Sequence, residues 1–203
     1  MNIGPDDQKR ITEAIRAAEK KTSGEIFCVM MQSSSDYRLV PIVWAAIIAL
    51  FVPLPLLYLT NIASTTIYVF QLVAFLMVAL VLLQSTVRFL MVPWRALRDR
   101  ASLEAQRQFA AHGLHRTEAR TGVLIFVSVA ERHVEVVADT GIAAKVPQEV
   151  WDRAVKALVQ AIKNERPADG FIEAIHVCGE VLAEHFPPGT VNRNEQPDKL
   201  VVM

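Results

Sequence analysis

Hydrophobic and polar positions along this chain fall into patterns of different period. From Pro5 to Thr22 the apolar residues Ile11, Ala14, Ile15 and Ala18 recur at helical spacing and form one stripe. Pro5, Asp6 and Asp7 suit a helix N-terminus, where a missing backbone donor is harmless and negative charge meets the positive end of the helix dipole. Gly24 supplies the stop. Glu25 to Met31 then runs almost without a polar residue, as a strand covered on both faces does. A different regime follows. Between Leu39 and Val87 there is no Asp, Glu, Lys or Arg.

That uncharged length holds two apolar stretches of about 20 residues, the number a helix needs to cross a ~30 Å hydrocarbon core. The first is expected at about Val40–Leu59 and the second at about Ile67–Val92, joined by the polar turn "TNIASTT". Pro53 and Pro55 should kink the first, because each removes a backbone donor and crowds the preceding turn. Tyr58 and Tyr68 flank the turn while Trp44 and Trp94 lie toward the other end, at depths aromatic residues favour. Lys9, Arg10, Arg16, Lys20, Lys21 and Arg38 precede the hairpin, and Arg88, Arg95, Arg98, Arg100 and Arg107 follow it; the turn has no basic residue. The positive-inside rule therefore predicts a two-pass protein of the inner (plasma) membrane, with both termini and the folded domain cytoplasmic. Arg88 is near the cytoplasmic end and can snorkel. The polar, amphipathic start does not read as a cleavable signal.

Beyond the hairpin the soluble pattern resumes. A helix over 95–112 carries Leu97, Leu103 and Phe109 and ends at His112-Gly113. "TGVLIFVSV" is a second fully buried strand, "AERH" a tight turn, and "VEVVAD" an alternating strand paired antiparallel to it. Two amphipathic helices close the domain, one with Val150, Trp151, Val155, Leu158 and Ile162, the other with Phe171, Ile175, Cys178, Val181, Leu182 and Phe186. One helix and one strand cannot bury enough surface alone, so residues 25–31 and 123–129 are expected as parallel neighbours. The fold class that results is α/β, a three-layer α/β/α sandwich with a small mixed sheet, split by an inserted transmembrane helical hairpin. Its parts are residues 1–38 (first helix and strand), 39–92 (hairpin), 93–186 (remainder of the domain) and 187–203, an extended tail whose apolar last residues can dock on a surface.

Composition adds little. The formal net charge is zero, which gives no electrostatic argument for a nucleic-acid partner. Cys28 and Cys178 both sit in apolar periodic segments and read as buried thiols. No Cys/His cluster suggests zinc, and there is no phosphate-binding Gly-rich loop or nucleophile elbow.

The order of these elements resembles the TPM-domain family, which includes thylakoid-lumen phosphatase-like and photosystem II repair proteins, and in particular its bacterial membrane-anchored branch. The likeness lies in "GVLIFVSV", the charged turn "AERH", the strand ending "ADTGI", and two helices split by "ADGF"; "ITEAIRAAEKKTSGEIFCVMM" is similar to the family's opening helix and strand. The resemblance implies an α/β/α sandwich, usually tethered to a membrane. Some members have acid phosphatase activity or bind divalent metal, and others serve assembly or regulation of membrane complexes. Two places depart from the family: Arg120-Thr121-Gly122 stands where Asp-Asn-Gly is common, and Asp139-Thr140-Gly141 where Gly-aromatic-Gly is common.

Because strands 123–129 and 133–139 are antiparallel, Glu118 and Asp139 are expected at one end of the sheet. Two carboxylates with carbonyls nearby are the oxygen donors that Ca²⁺ or Mg²⁺ prefers. The structural alternative is a loop acid paired with Arg116 or Arg120, plus a turn aspartate before a glycine. His112 and His115 have a chelating spacing but no third ligand, and Asp169 reads as the N-cap of the last helix. No cofactor is firmly implied. The preferred function is a non-catalytic interaction or assembly module at the lipid bilayer, with other membrane or peripheral proteins as partners. The alternatives are a metal-dependent phosphatase and a divalent-cation sensor.

Overall fold

In a computed structural model the described residues are 3–35, 37, 39–84, 92–117, 120–188 and 197–203. The chain divides into two compact units, one made of Met1–Ser34 with Asp99–Met203, the other of Ser35–Arg98.

The first unit is built on a four-stranded sheet of order β3-β2-β1-β4, with β1 Glu25–Met31, β2 Gly122–Ser128, β3 His133–Ala138 and β4 Leu200–Val202. Strand β1 pairs in parallel with β2 along its whole length, from Glu25 opposite Gly122 to Met31 opposite Ser128. Strand β3 pairs antiparallel with β2, Val123 opposite Ala138 and Ser128 opposite His133. The sheet is mixed, as expected, and the parallel pair is the expected one.

Strand alternation sorts the buried side chains to two faces. Ile26, Cys28, Met30, Val123, Ile125 and Val127 join one core with helices α1 (Pro5–Glu19), α7 (Gln148–Lys163) and α8 (Pro167–His185). Phe27, Val29, Leu124 and Phe126 join a second core with Ala105 of helix α5 (Trp94–Ala111) and with Leu114. Three layers result. The helices expose polar faces and bury the stripes that their periodicity predicts: Ile11 and Ile15 on α1, Val150, Trp151, Ala154 and Leu158 on α7, Phe171, Ile175, Cys178 and Leu182 on α8. Burial pushes both thiols up, Cys178 to about 12.

Two details differ from expectation. Helix α1 ends on an ordinary right-handed cap at Lys20, so Gly24 is not a dihedral stop. Its surroundings are tight: a Cβ there would stand 3.1 Å from the Leu182 side chain and 3.3 Å from the carbonyl oxygen of Thr121. The end of the tail is a strand, with Cys28, Val29 and Met30 of β1 opposite Leu200, Val201 and Val202. It is held further by Arg16 Nε, 3.0 Å from Asp198 Oδ2.

The second unit holds α2 (Leu39–Phe51), α3 (Pro53–Leu59) and α4 (Ser64–Leu82). The helix breaks at Val52, directly before Pro53, where the Val52 amide turns to the carbonyl of Ala49 at 3.3 Å. This is the interruption that the prolines predict. Ala45 and Ala49, four residues apart on α2, are buried, whereas Leu50, Phe51, Leu72, Leu76 and Leu80 are exposed. Leu39–Leu59 and Ser64–Leu82 are each long and apolar enough to cross a membrane, and only 17% and 11% of an 18-residue apolar stretch in each is buried. The expected second span reached Val92; residues 85–91, Arg88 among them, lie outside the described residues.

Central placement of β1 has a measurable consequence. Val29→Asp should unfold the first unit, because a buried unpaired charge costs several kcal/mol against a typical total of ~5–15 kcal/mol. Cys28, fully buried on the neighbouring position, should resist thiol reagents in the native protein and react in the variant. Unchanged melting and an unreactive Cys28 in the Val29→Asp protein would contradict the placement.

Candidate functional site

Antiparallel pairing of β2 and β3 brings the start of one and the end of the other together. The Asp139 amide donates to the carbonyl of Gly122 at 2.9 Å, so Asp139 lies beside the loop 120–122. That loop is closely packed. Arg120 has a left-handed φ of 53°, and a Cβ on Gly122 would lie 2.5 Å from the carbonyl oxygen of Leu114, which no side chain can satisfy. Thr121 Oγ1 donates to the carbonyl of Ser23 at 3.1 Å, tying the loop to the segment before β1.

Asp139 is only 4% exposed. It caps the short helix α6 (Thr140–Ala143), its Oδ1 accepting from Thr140 N at 2.6 Å and from Thr140 Oγ1 at 3.1 Å. Arg120 Nη1 stands 3.8 Å from the same oxygen. Oδ2 is buried and, among the described residues, has no partner. Glu118, the expected companion, lies outside the described residues. As a test of a divalent cation here, Oδ2 is one free oxygen donor of the right kind. Against it, Arg120 already supplies positive charge, and no group of three or more His, Cys, Asp or Glu among the described residues gathers to hold a metal. The described residues do not make a cation site by themselves.

The histidines find other surroundings. His112 packs on Phe27 with ring centroids 4.3 Å apart, and burial, then Lys199, lowers its pKa. His115 Nδ1 is buried without a partner among the described residues. His133 Nε2 lies 2.8 Å from Glu135 Oε2. Asp169 is not the N-cap of α8. It sits inside the first turn, past Pro167, and bonds to Arg10 of α1 at 2.6 Å and to Arg166 at 2.7 Å. Those two guanidinium groups lower its pKa.

The order of elements and this loop-and-cap end of the sheet now stand together. Residues 83–181 match the model of the TPM domain. The chain carries a TPM domain. The match begins after the second apolar helix and leaves out α1 and β1, which the inserted hairpin separates in sequence from the rest of the sheet. In three dimensions the chain is similar to the NMR structure of the BA42 protein from the psychrophilic bacterium Bizionia argentinensis, with a TM-score of 0.62 and 20% identity. That similarity covers 100% of this chain and 97% of the other, and at this identity it concerns the fold. Comparison with curated proteins finds no match.

Two polar arrangements in the first unit escaped sequence reasoning. At the end of the sheet away from Asp139, Glu131 of the "AERH" turn is buried and accepts from Ser34 N at 3.0 Å, from Ser33 Oγ at 3.3 Å and from Ser128 Oγ. The carboxylate thus fastens the turn to the chain leaving β1. The only hint in sequence was an acid in a tight turn. The second arrangement is Glu19, at the end of α1, buried beside Glu25 and Asp198 and accepting from the Ile26 amide at 3.0 Å. Its neighbours come from the start of β1 and from the segment before β4, which no periodicity brings together.

Burial, and then the negative charges of Glu25 and Asp198, push Glu19 from its ordinary 4.5 up to about 8. A carboxyl raised in the folded state favours the fold when protonated. Its contribution is complete below about 4.5 and is lost as pH rises through about 8. Glu19→Gln should therefore flatten a decline in stability between these values, worth on the order of a few kcal/mol at roughly 1.4 kcal/mol per pH unit. Denaturant unfolding at several pH values checks this; equal slopes in both proteins would contradict it.

Proposed function

We propose that this chain is a two-pass membrane protein of the inner (plasma) membrane, and that its TPM domain is a non-catalytic interaction or assembly module for membrane or peripheral proteins. The observation that carries the reading is the pair of apolar helices with outward-facing Leu, Ile, Val and Phe side chains. Exposed apolar surface of that extent needs a cover, and lipid is the cover whose thickness fits ~20-residue helices. Basic residues on both sides of the hairpin and none in its turn favour cytoplasmic termini. The Asp139 end supports a binding role over catalysis, because its carboxylate is engaged in capping a helix with Arg120 beside it.

Reporter fusions after Met203 should be active in the cytoplasm, and a tag inserted at Ala63 should be reachable from outside the cell. A C-terminus found outside would overturn the charge argument. Under the assembly reading, partners co-purify in mild detergent, and Glu118→Gln with Asp139→Asn leaves them bound.

The second reading is a divalent-cation site at Asp139 and Glu118, serving a sensor or a metal-dependent phosphatase; the unpartnered Oδ2 favours it. It predicts that excess Ca²⁺ or Mg²⁺ raises the melting temperature by mass action, and that the same double substitution abolishes the rise. Phosphatase activity lost with that substitution would select the enzyme. No shift in the unsubstituted protein discards the reading.

A further inference from the structure

A cleft of about 640 Å³ opens in the TPM domain between the β2–β3 turn and the α7–α8 connection. Its floor is aliphatic: Val127 and Val134 from the two strands, Val129 from the turn between them, Val159 and Ile162 from α7. Its polar lining includes Arg132, Lys163 and Glu165, all exposed. Among the described residues neither Arg132 nor Lys163 has an acidic partner, while His133 faces Glu135. The lining thus holds two unpaired cations against one carboxylate.

A second observation singles out the same place. Four non-glycine residues with positive φ occur among the described residues, and two of them line this cleft: Arg132 at 50° and Glu165 at 59°. A left-handed backbone disfavours any side chain with a Cβ, so each position retains a long charged side chain at a conformational cost. Glycine would suit both turns better. Both residues close hydrogen-bonded turns, the Arg132 amide donating to the carbonyl of Val129 at 3.2 Å and the Arg166 amide to that of Ala161 at 2.9 Å, and both turns present their charged side chains to one concave, mostly apolar space.

We propose that this cleft binds an amphipathic monoanion, a single aliphatic chain ending in a carboxylate, with the chain on the Val/Ile floor and the carboxylate at Arg132 and Lys163. The volume falls within the range for small-molecule sites, roughly 300–1,000 Å³. A guanidinium takes a carboxylate through two parallel hydrogen bonds, and an ammonium adds a point charge. An aliphatic alcohol would find the floor and leave the cations unused; an aliphatic amine would be repelled. This proposal does not depend on the membrane reading. The ligand can come as free fatty acid from solution or from a bilayer, and the two sources share one chemistry.

The test uses the full chain in phosphatidylcholine nanodiscs and a long-chain fatty acid carrying a photoreactive diazirine, with labelled peptides mapped by mass spectrometry. Labelling should fall on residues 127–134 and 159–167 and be competed by oleate. Adding the probe from solution or preloaded in the nanodisc distinguishes the sources. The alcohol analogue should label these peptides about tenfold less, the size expected for losing a hydrogen bond between charged groups. Arg132→Gly suits the left-handed backbone and removes the cation, so it should keep the melting temperature and lose labelling by a similar factor; Lys163→Gln should act in the same direction. Equal labelling by acid and alcohol would overturn the proposal, as would labelling confined to residues 39–82. So would displacement by an acidic peptide in the absence of any competition by oleate.

Discussion

The first unit of this chain depends on one constraint: β1 must have a strand on each side. Its side chains from Ile26 to Met30 are essentially fully buried and are shared between two cores. A strand so placed needs its backbone groups paired, because an orphan polar group away from water costs as much as a lost hydrogen bond. Strand β2 pairs with it along one side and β4 covers part of the other. Both partners come later in the chain, beyond the whole apolar segment. The domain therefore cannot close until distant pieces meet, and its core is non-local by construction.

That insertion is tolerable because of where it enters and leaves. The chain quits this unit at Ser34, whose amide is held by Glu131 of the β2–β3 turn, and resumes at Asp99, with Ser102 Oγ donating to Glu135 of β3 at 3.1 Å. Both junctions lie near the same end of the sheet. Loop-closure entropy grows only slowly with length, so a long excursion between neighbouring points disturbs the sheet little. The buried Glu131 makes that end a fixed feature, and the aliphatic cleft opens beside it.

The two ends of the sheet are chemically unlike. At one, Asp139 caps a helix beside a crowded loop with no room for a side chain at Gly122. At the other, Arg132 and Lys163, without an acidic partner among the described residues, line a cleft with aliphatic side chains.

What the sequence determined by itself was whatever depends on local period. The stripe on α1, the unbroken apolar runs of β1 and β2 and the break before Pro53 all follow from side chains a few residues apart, and each is where the pattern placed it; the second apolar helix ends at Leu82, short of the expected Val92, with residues 85–91 outside the described ones. The parallel pairing of β1 with β2 was also legible, because neither half could bury its surface alone. Only the tertiary structure decided the rest. The last residues became a strand because β1 had an open edge, which no feature of "KLVVM" announces. Asp169 is not the cap because α8 begins two residues earlier at Pro167, and its carboxylate pairs with Arg10 of another helix; Gly24 packs tightly against Leu182, far away in sequence. The shift of Glu19 needs Glu25 and Asp198 beside it, and the cleft needs α7 laid against the β2–β3 turn. Contacts between separate elements leave no period to read; they exist only once the chain has closed around β1.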